Sequence, residues 1–207
     1  MLAVFLLAAC TPPVQAVRDA LNFRSSTTQE SVAQRQIDPR YQYLMVTLRG
    51  HAFLMARIAV EQSPQGPVDV YYSGAGEIIR LLNGRVVGAT GTPVQWLDVK
   101  LEQVPNWDAA SAEYRRRRDV QPNYRFGLTD TVSVQEISAP SRTQFFGPVP
   151  AGVTWFVERS SGDGALPNAR FAVMRGAETG KVTVIYGEQC LDRALCFSWQ
   201  RWPTPQG

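Results

Sequence analysis

The stretch from Asp69 to Gly91, DVYYSGAGEIIRLLNGRVVGATG, leaves the backbone few options. Two apolar runs, Val68 to Tyr72 and Glu77 to Leu82, flank Ser73-Gly74-Ala75-Gly76, and a second turn at Asn83-Gly84 leads into Arg85-Val86-Val87. Asn-Gly supplies two consecutive residues that tolerate positive φ, as a type I′ turn requires, so the segment reads strand, turn, strand, turn, strand. This β-meander contains no nucleophile motif, metal-ligand cluster or phosphate loop.

The flanking sequence continues the pattern. Asp38-Pro39 opens the domain, because a residue before proline is held extended. Tyr41 to Leu48 and Ala52 to Val60 are β-rich runs joined at Arg49-Gly50-His51, and Ser63 to Pro67 is a loop. Val94 to Val99, Thr131 to Ile137, Thr154 to Arg159, Arg170 to Met174, Lys181 to Tyr186 and Cys196 to Trp202 read as further strands, with turns at Gly162-Asp163-Gly164 and Glu178-Thr179-Gly180. Asn106 to Arg118 (NWDAASAEYRRRR) reads as a helix: Asn106 or Asp108 caps it, alanines fill its middle, and arginines occupy the last turn, where the dipole favours cations. About ten short strands and little helix predict an all-β, mainly antiparallel domain, a curved sheet or barrel with one or two short helices.

Upstream of this domain the pattern changes. Met1 to Leu7 is apolar, and Leu7-Ala8-Ala9-Cys10 has the form of a lipobox, in which small residues precede a cysteine that is acylated and becomes the mature N-terminus. Residues 1–9 therefore read as a signal peptide, and since no Lys or Arg precedes the short apolar run, its true start is expected further upstream. The rival reading is a buried apolar strand with an incidental cysteine. Residues 10–37 read as the lipidated cysteine and its tether, with Thr11 to Gln36 a polar spacer and Val14, Val17 and Leu21 at helical spacing, and residues 38–207 as one β domain.

With Cys10 lipidated, Cys190 and Cys196 remain as a pair, which in an oxidising periplasm reads as a disulfide. Closing so short a loop contributes roughly 2–3 kcal/mol in the chain-entropy account. A redox pair or half a metal site is the rival reading, but the spacing is not CxxC and the single histidine, His51, is distant in sequence.

The net charge of +3 comes from 19 arginines and two lysines, Lys100 and Lys181, against 18 carboxylates. A balance this mild is not the basic stripe of a nucleic-acid-binding protein. The densest charge is Arg115 to Arg118 with Arg125, which reads either as a solvated helix end or as a contact for an acidic polysaccharide or phospholipid headgroup, since guanidinium pairs bidentately with carboxylate and phosphate. Tyr71, Tyr72, Trp96, Trp107, Trp155, Trp199 and Trp202 read as core rings or as sugar-stacking platforms. His51 would have to serve any Ser or Cys triad, yet it sits at an expected hairpin tip. Asp98, Glu102, Asp108, Glu136 and Glu158 are the carboxylates from which a glycosidase pair could be drawn. Arg85, if buried, requires a carboxylate partner. No cofactor or metal motif is legible.

Tyr71-Tyr72-Ser73-x-x-Gly76, followed by Leu81-x-Asn83-Gly84-Arg85-Val86-Val87 and Thr90-Gly91, resembles the YjbF/GfcB family, the lipoproteins of group 4 capsule and related exopolysaccharide operons. In that family a Trp or Tyr plus Ser precedes a glycine turn, and a Gly-Arg pair starts the next strand; Tyr72, Ser73, Gly76, Asn83, Gly84 and Arg85 are the matching positions. The likeness covers roughly residues 38 to 100 and is loose beyond Val120. It implies a non-catalytic lipoprotein that assists export or assembly of capsular or extracellular polysaccharide; anchoring by acyl chains on Cys10 and a periplasm-facing compartment follow from the lipobox and the cysteine pair, and Thr11, which is not aspartate, fits release to the outer membrane. The partners the likeness implies are operon-encoded outer-membrane and periplasmic export proteins. The alternative is a periplasmic carbohydrate-active enzyme, which needs carboxylates about 5 to 9.5 Å apart, or a lipid- or glycolipid-carrying β domain, which needs a large apolar cavity.

Overall fold

The structure, a computed structural model, describes residues 28–109, 111–176 and 180–205. The signal peptide, Cys10 and the first part of the expected tether lie outside these residues.

Among the described residues twelve strands form one closed antiparallel barrel: β1 Tyr43–Leu48, β2 His51–Ser63, β3 Gly66–Ser73, β4 Ile78–Leu82, β5 Arg85–Thr90, β6 Gln95–Glu102, β7 Ser111–Gln121, β8 Arg125–Ile137, β9 Val153–Ser161, β10 Ala169–Arg175, β11 Val182–Cys190 and β12 Cys196–Trp202. Each strand pairs with its neighbours in sequence, and β1 closes on β12 with Tyr43 opposite Trp202 and Thr47 opposite Ser198. Closure leaves no sheet edge open to pairing with another chain. Register shifts in β2, β4, β6, β7 and β10 bend the sheet towards that closure.

Both central turns follow from their residues. Asn83 and Gly84 sit at φ 47° and 84°, and Gly84 lies so close to β11 that a Cβ there would stand 2.7 Å from Val184. In the β3–β4 turn the Ser73 hydroxyl accepts from the backbone N–H of Ala75 (3.2 Å) and of Glu77 (3.1 Å), and it also bonds the Glu77 carboxylate.

Two expectations are corrected. The segment expected as a helix from Asn106 to Arg118 instead supplies a short turn that drops Trp107 into the barrel, followed by β7. Alanine and arginine favour helix locally, but the alternation Tyr114, Arg116, Arg118, Val120 is buried and the residues between them are not, a period of two that the barrel rewards. The expected spacer also ends early. Gln29–Ala33 forms α1, capped by the Thr28 side chain, with Val32 buried against Tyr43, Met45, Leu54 and Ala56 on the outside of β1 and β2. Val32 and Ile37 supply the apolar contacts that make this stretch part of the domain.

Twelve strands enclose more volume than aliphatic side chains fill, since about eight already give a lumen just wide enough for packing. Large side chains occupy the difference. Trp96, Trp107, Phe156, Phe171 and Trp199 fill the interior together with Leu44, Val46, Met55 and the valines of β5, β8 and β10. Trp107 packs at 5.3 Å from Phe156 and 4.7 Å from Phe171, between ring centroids. Gly187 is required where Trp199 crosses it, because a Cβ there would meet the indole at 2.7 Å.

A strap, residues 138–152, covers apolar surface on the outside. Phe145 packs with Trp155 and Tyr186, and Phe146 with Trp202. Gln200 clamps the strap by accepting from the Phe146 N–H (2.8 Å) and donating to its carbonyl (3.1 Å), while the Tyr186 hydroxyl accepts from the Gln144 N–H (2.9 Å) and donates to Glu188 (2.6 Å).

Burial, reinforced by Glu188, raises the pKa of Tyr186 well above the ordinary tyrosine range; burial, reinforced by Glu158, does the same to Tyr114, and burial also raises Tyr71. The native state therefore keeps these protons where the unfolded chain loses them. Their contribution is complete below the unfolded tyrosine value of about 10 and declines as pH rises past it. An alkaline titration followed by tyrosinate absorbance is expected to show these three of the seven tyrosines ionising only as the protein unfolds.

Candidate functional site

The interior carries two charged clusters. In the first, Arg85 at the start of β5 donates through Nε to Glu158 Oε1 at 2.7 Å, with the two side chains 3% and 4% exposed. The Tyr114 hydroxyl donates to Glu158 Oε2 at 3.0 Å. The Arg85 guanidinium lies 3.8 Å from the centroid of the Trp107 ring, so the π face meets a cation whose Nη2 has no hydrogen-bond partner. Burial of Arg85 thus came with the carboxylate it requires. Trp107 in turn donates to Asn83 O (2.9 Å), and Gln189 bridges the same turn by accepting from Val86 N–H and donating to Gly84 O, both at 3.0 Å.

In the second cluster one carboxylate serves two guanidiniums. Asp130, directly opposite Arg116 across the β7–β8 pair, accepts from Arg116 at 2.5 and 3.2 Å and from Arg118 at 2.5 Å, and Arg118 also donates to Gly164 O. Both guanidiniums approach the Trp96 ring, at 5.5 and 5.0 Å. Burial opposes the charge of both. Tyr114, Asp130 and Glu158 outweigh it at Arg116, whose pKa is raised, whereas burial and repulsion from Arg116 leave that of Arg118 lowered.

The arginine run is therefore divided by the pleat. Arg116 and Arg118 are internal, while Arg115, Arg117 and Arg125 are exposed. The solvated helix end expected of this run does not exist, because there is no helix there and half of its charge faces inward. Replacing Arg115 or Arg117 by Gln is expected to change stability by no more than about 0.5 kcal/mol in a urea titration.

The motif positions form scaffold around these clusters. Ser73, Gly76, Asn83 and Gly84 build turns, Arg85 holds Glu158, and Tyr72 is half-buried on β3. Trp96, Trp107, Trp155, Trp199 and Tyr71 are core rings. Cys190 and Cys196 form a disulfide that staples the β11–β12 turn. His51 is exposed at the first hairpin. Of the five candidate carboxylates, Glu158 alone is buried and is engaged by Arg85 and Tyr114; Asp98, Glu102, Asp108 and Glu136 are exposed. Among the described residues no cluster of His, Cys, Asp and Glu could hold a metal ion.

Among the described residues two recesses are large enough for a ligand: one of about 400 Å³ between the strap and the β11–β12 turn, lined by Arg142, Arg170 and Glu188, and a larger cleft of about 620 Å³ at the barrel end where β1 begins and β12 finishes. Its floor is a network around Asp69 of β3: Arg57 of β2 donates at 2.9 Å, Arg201 of β12 at 3.5 Å, and Arg201 also reaches the Tyr71 hydroxyl (3.4 Å) and Val184 O (2.9 Å). Lys181, Tyr41 and Trp202 line the walls. Trp202 was legible in sequence as a platform or core ring; Arg57, Lys181 and Arg201 were not, because they lie more than 120 residues apart at the extremes and meet only through the β1–β12 closure.

Fold and cleft together define a closed twelve-stranded barrel with a charged, filled lumen and one open cationic mouth. No family model and no curated protein matches the chain. Among solved structures, the hypothetical lipoprotein YmcC from Escherichia coli (K12) is similar, with 15% identity, 86% of this chain and 95% of that chain covered, and a TM-score of 0.60. That likeness shows a shared fold.

Proposed function

We propose that this chain is an outer-membrane-anchored lipoprotein, held by acyl chains on Cys10, that assists export or assembly of a capsular or extracellular polysaccharide without cleaving it. The observation that carries this reading is the barrel: its architecture is that of a protein described as a lipoprotein, over nearly the whole of both chains. The lipobox form at Leu7 to Cys10 and the YjbF/GfcB-like motif support the same reading independently. The cleft adds a place for a glycan. Its volume lies within the 300–1,000 Å³ or so of small-molecule sites, with rings and polar groups on its walls. Asp69, its one carboxylate among the described lining residues, is engaged by two guanidiniums, an arrangement suited to shaping a surface.

A lipid-carrying barrel would need a wide apolar lumen. Here tryptophans and ion clusters occupy it, and the pocket between Trp96, Arg116 and Glu158 measures about 10 Å³, the scale of a single water.

The test is surface and secreted polysaccharide in a deletion strain, rescued with the intact gene or with Cys10→Ala. Loss or cellular retention of glycan, rescued by the acylated form alone, supports an anchored export accessory. Unchanged glycan output and chain length on deletion would refute it.

A further inference from the structure

We infer that the cleft at the barrel mouth binds a carboxylate-bearing, acidic glycan and selects it over a neutral one. This rests on the reading of the chain as a glycan-handling protein and names the ligand class of its site. The charged residues lining the cleft, among those described, are the three cations Arg57, Lys181 and Arg201 and the one carboxylate Asp69. The charges are held in place. Arg201 is fixed by Val184 O, the Tyr71 hydroxyl and Asp69, and Arg57 by Asp69, so their guanidinium planes are set before a ligand arrives. A guanidinium has five N–H donors in a planar fork, and the bonds described here use three from Arg201 and one from Arg57. The remaining donors suit an incoming carboxylate, which guanidinium pairs bidentately.

Geometry favours a chain of sugars over a compact anion. The cleft is open and spans the mouth from Tyr41 and Trp202, on the adjoining ends of β1 and β12, to the Asn83-Gly84 turn, far more volume than one carboxylate or phosphate fills. Tyr41 and Trp202 stand at the rim of the cleft with their rings packed into the apolar cluster outside β1 and β2, while the cations address substituents along the chain. Arg115 and Arg117, although adjacent in sequence and exposed, stand on the convex outer face of β7 and enclose nothing.

The test is binding of a polygalacturonate hexamer and of the same hexamer with its carboxylates methyl-esterified, measured by calorimetry on the full chain in detergent. The acidic hexamer is expected to bind at least tenfold more tightly, with affinity falling as salt rises. Arg57→Gln and Lys181→Gln should each weaken it about fivefold or more, whereas Arg117→Gln, which removes an equal charge elsewhere, should leave it unchanged. Thermal melts of each variant separate lost binding from lost folding. The binding-neutral Arg117→Gln and the exposed-cation variant Lys181→Gln, which leaves the Asp69 network intact, keep the inference exposed if Arg57→Gln unfolds. Equal binding of the two hexamers, binding of neither, or equal loss in Arg117→Gln overturns it. If the neutral hexamer binds equally while the deletion strain loses surface glycan, the acidic ligand class falls and the export role stands. If the acidic hexamer binds and deletion is silent, the export role falls instead.

Discussion

Asp130→Asn is expected to be among the most destabilising single substitutions in the barrel, by about 3–5 kcal/mol, the usual cost of removing one partner from a buried ion cluster. The change keeps the shape of the side chain and deletes the negative charge that Arg116 and Arg118 share at 2.5 Å each. Asp130 is fully buried and Arg118 3% exposed, so water cannot replace what is lost. The two guanidiniums would then repel one another beside Trp96. Against a total stability of about 5–15 kcal/mol, such a loss is a large share, and equilibrium urea unfolding of the full chain measures it directly. A cost below about 1 kcal/mol would mean that Asp130 is not the counter-ion of this cluster.

Glu158→Leu is expected to cost a comparable amount, again about 3–5 kcal/mol, through a different set of orphaned groups. Arg85 loses the acceptor of its Nε, and the Tyr114 hydroxyl loses its own. The Arg85 guanidinium would keep only the faces of Trp107 and Tyr114. Since well-packed apolar residues often replace a buried ion pair at little cost, Arg85→Met combined with Glu158→Leu is expected to recover most of the stability that Glu158→Leu loses. A double variant no more stable than the single one would show that Arg85 is held by something other than Glu158. The two predictions are independent enough to be made separately, because the clusters use different carboxylates, although Tyr114 and Glu158 also influence Arg116.

Both predictions concern residues whose roles were unequally legible. The Asn-Gly turn needs positive φ at two successive residues, a requirement met within the turn itself, so the central meander was readable from Asp69 to Gly91. The all-β class, the antiparallel pairing and the Cys190–Cys196 disulfide were readable for the same reason: each depends on neighbours close along the chain. The need of a buried Arg85 for a carboxylate was also legible, but its identity was not, since Glu158 lies 73 residues away.

The arginine run shows where local signals stop. From Asn106 to Arg118 the capping residues, the alanines and the terminal arginines favour helix, and a helix would have left all four guanidiniums in water. The barrel placed Asp130 opposite Arg116, and that one pairing made alternate burial of the run more favourable than its solvation. A signal was present in the alternation of Tyr114, Arg116, Arg118 and Val120 facing Asp130, Val132 and Val134, but it is meaningful only once β7 and β8 are paired. What this sequence determined by itself is therefore the turns, the strand-forming runs and the cysteine staple, all of which are settled by conformational limits of a few adjacent residues. The tertiary structure alone decided which charges went inside and which residues share the cleft, because both depend on strands meeting across a closed barrel: charge burial is favourable only beside a partner, and Arg57 and Asp69 of the β2–β3 hairpin meet Lys181 and Arg201 only when β1 meets β12.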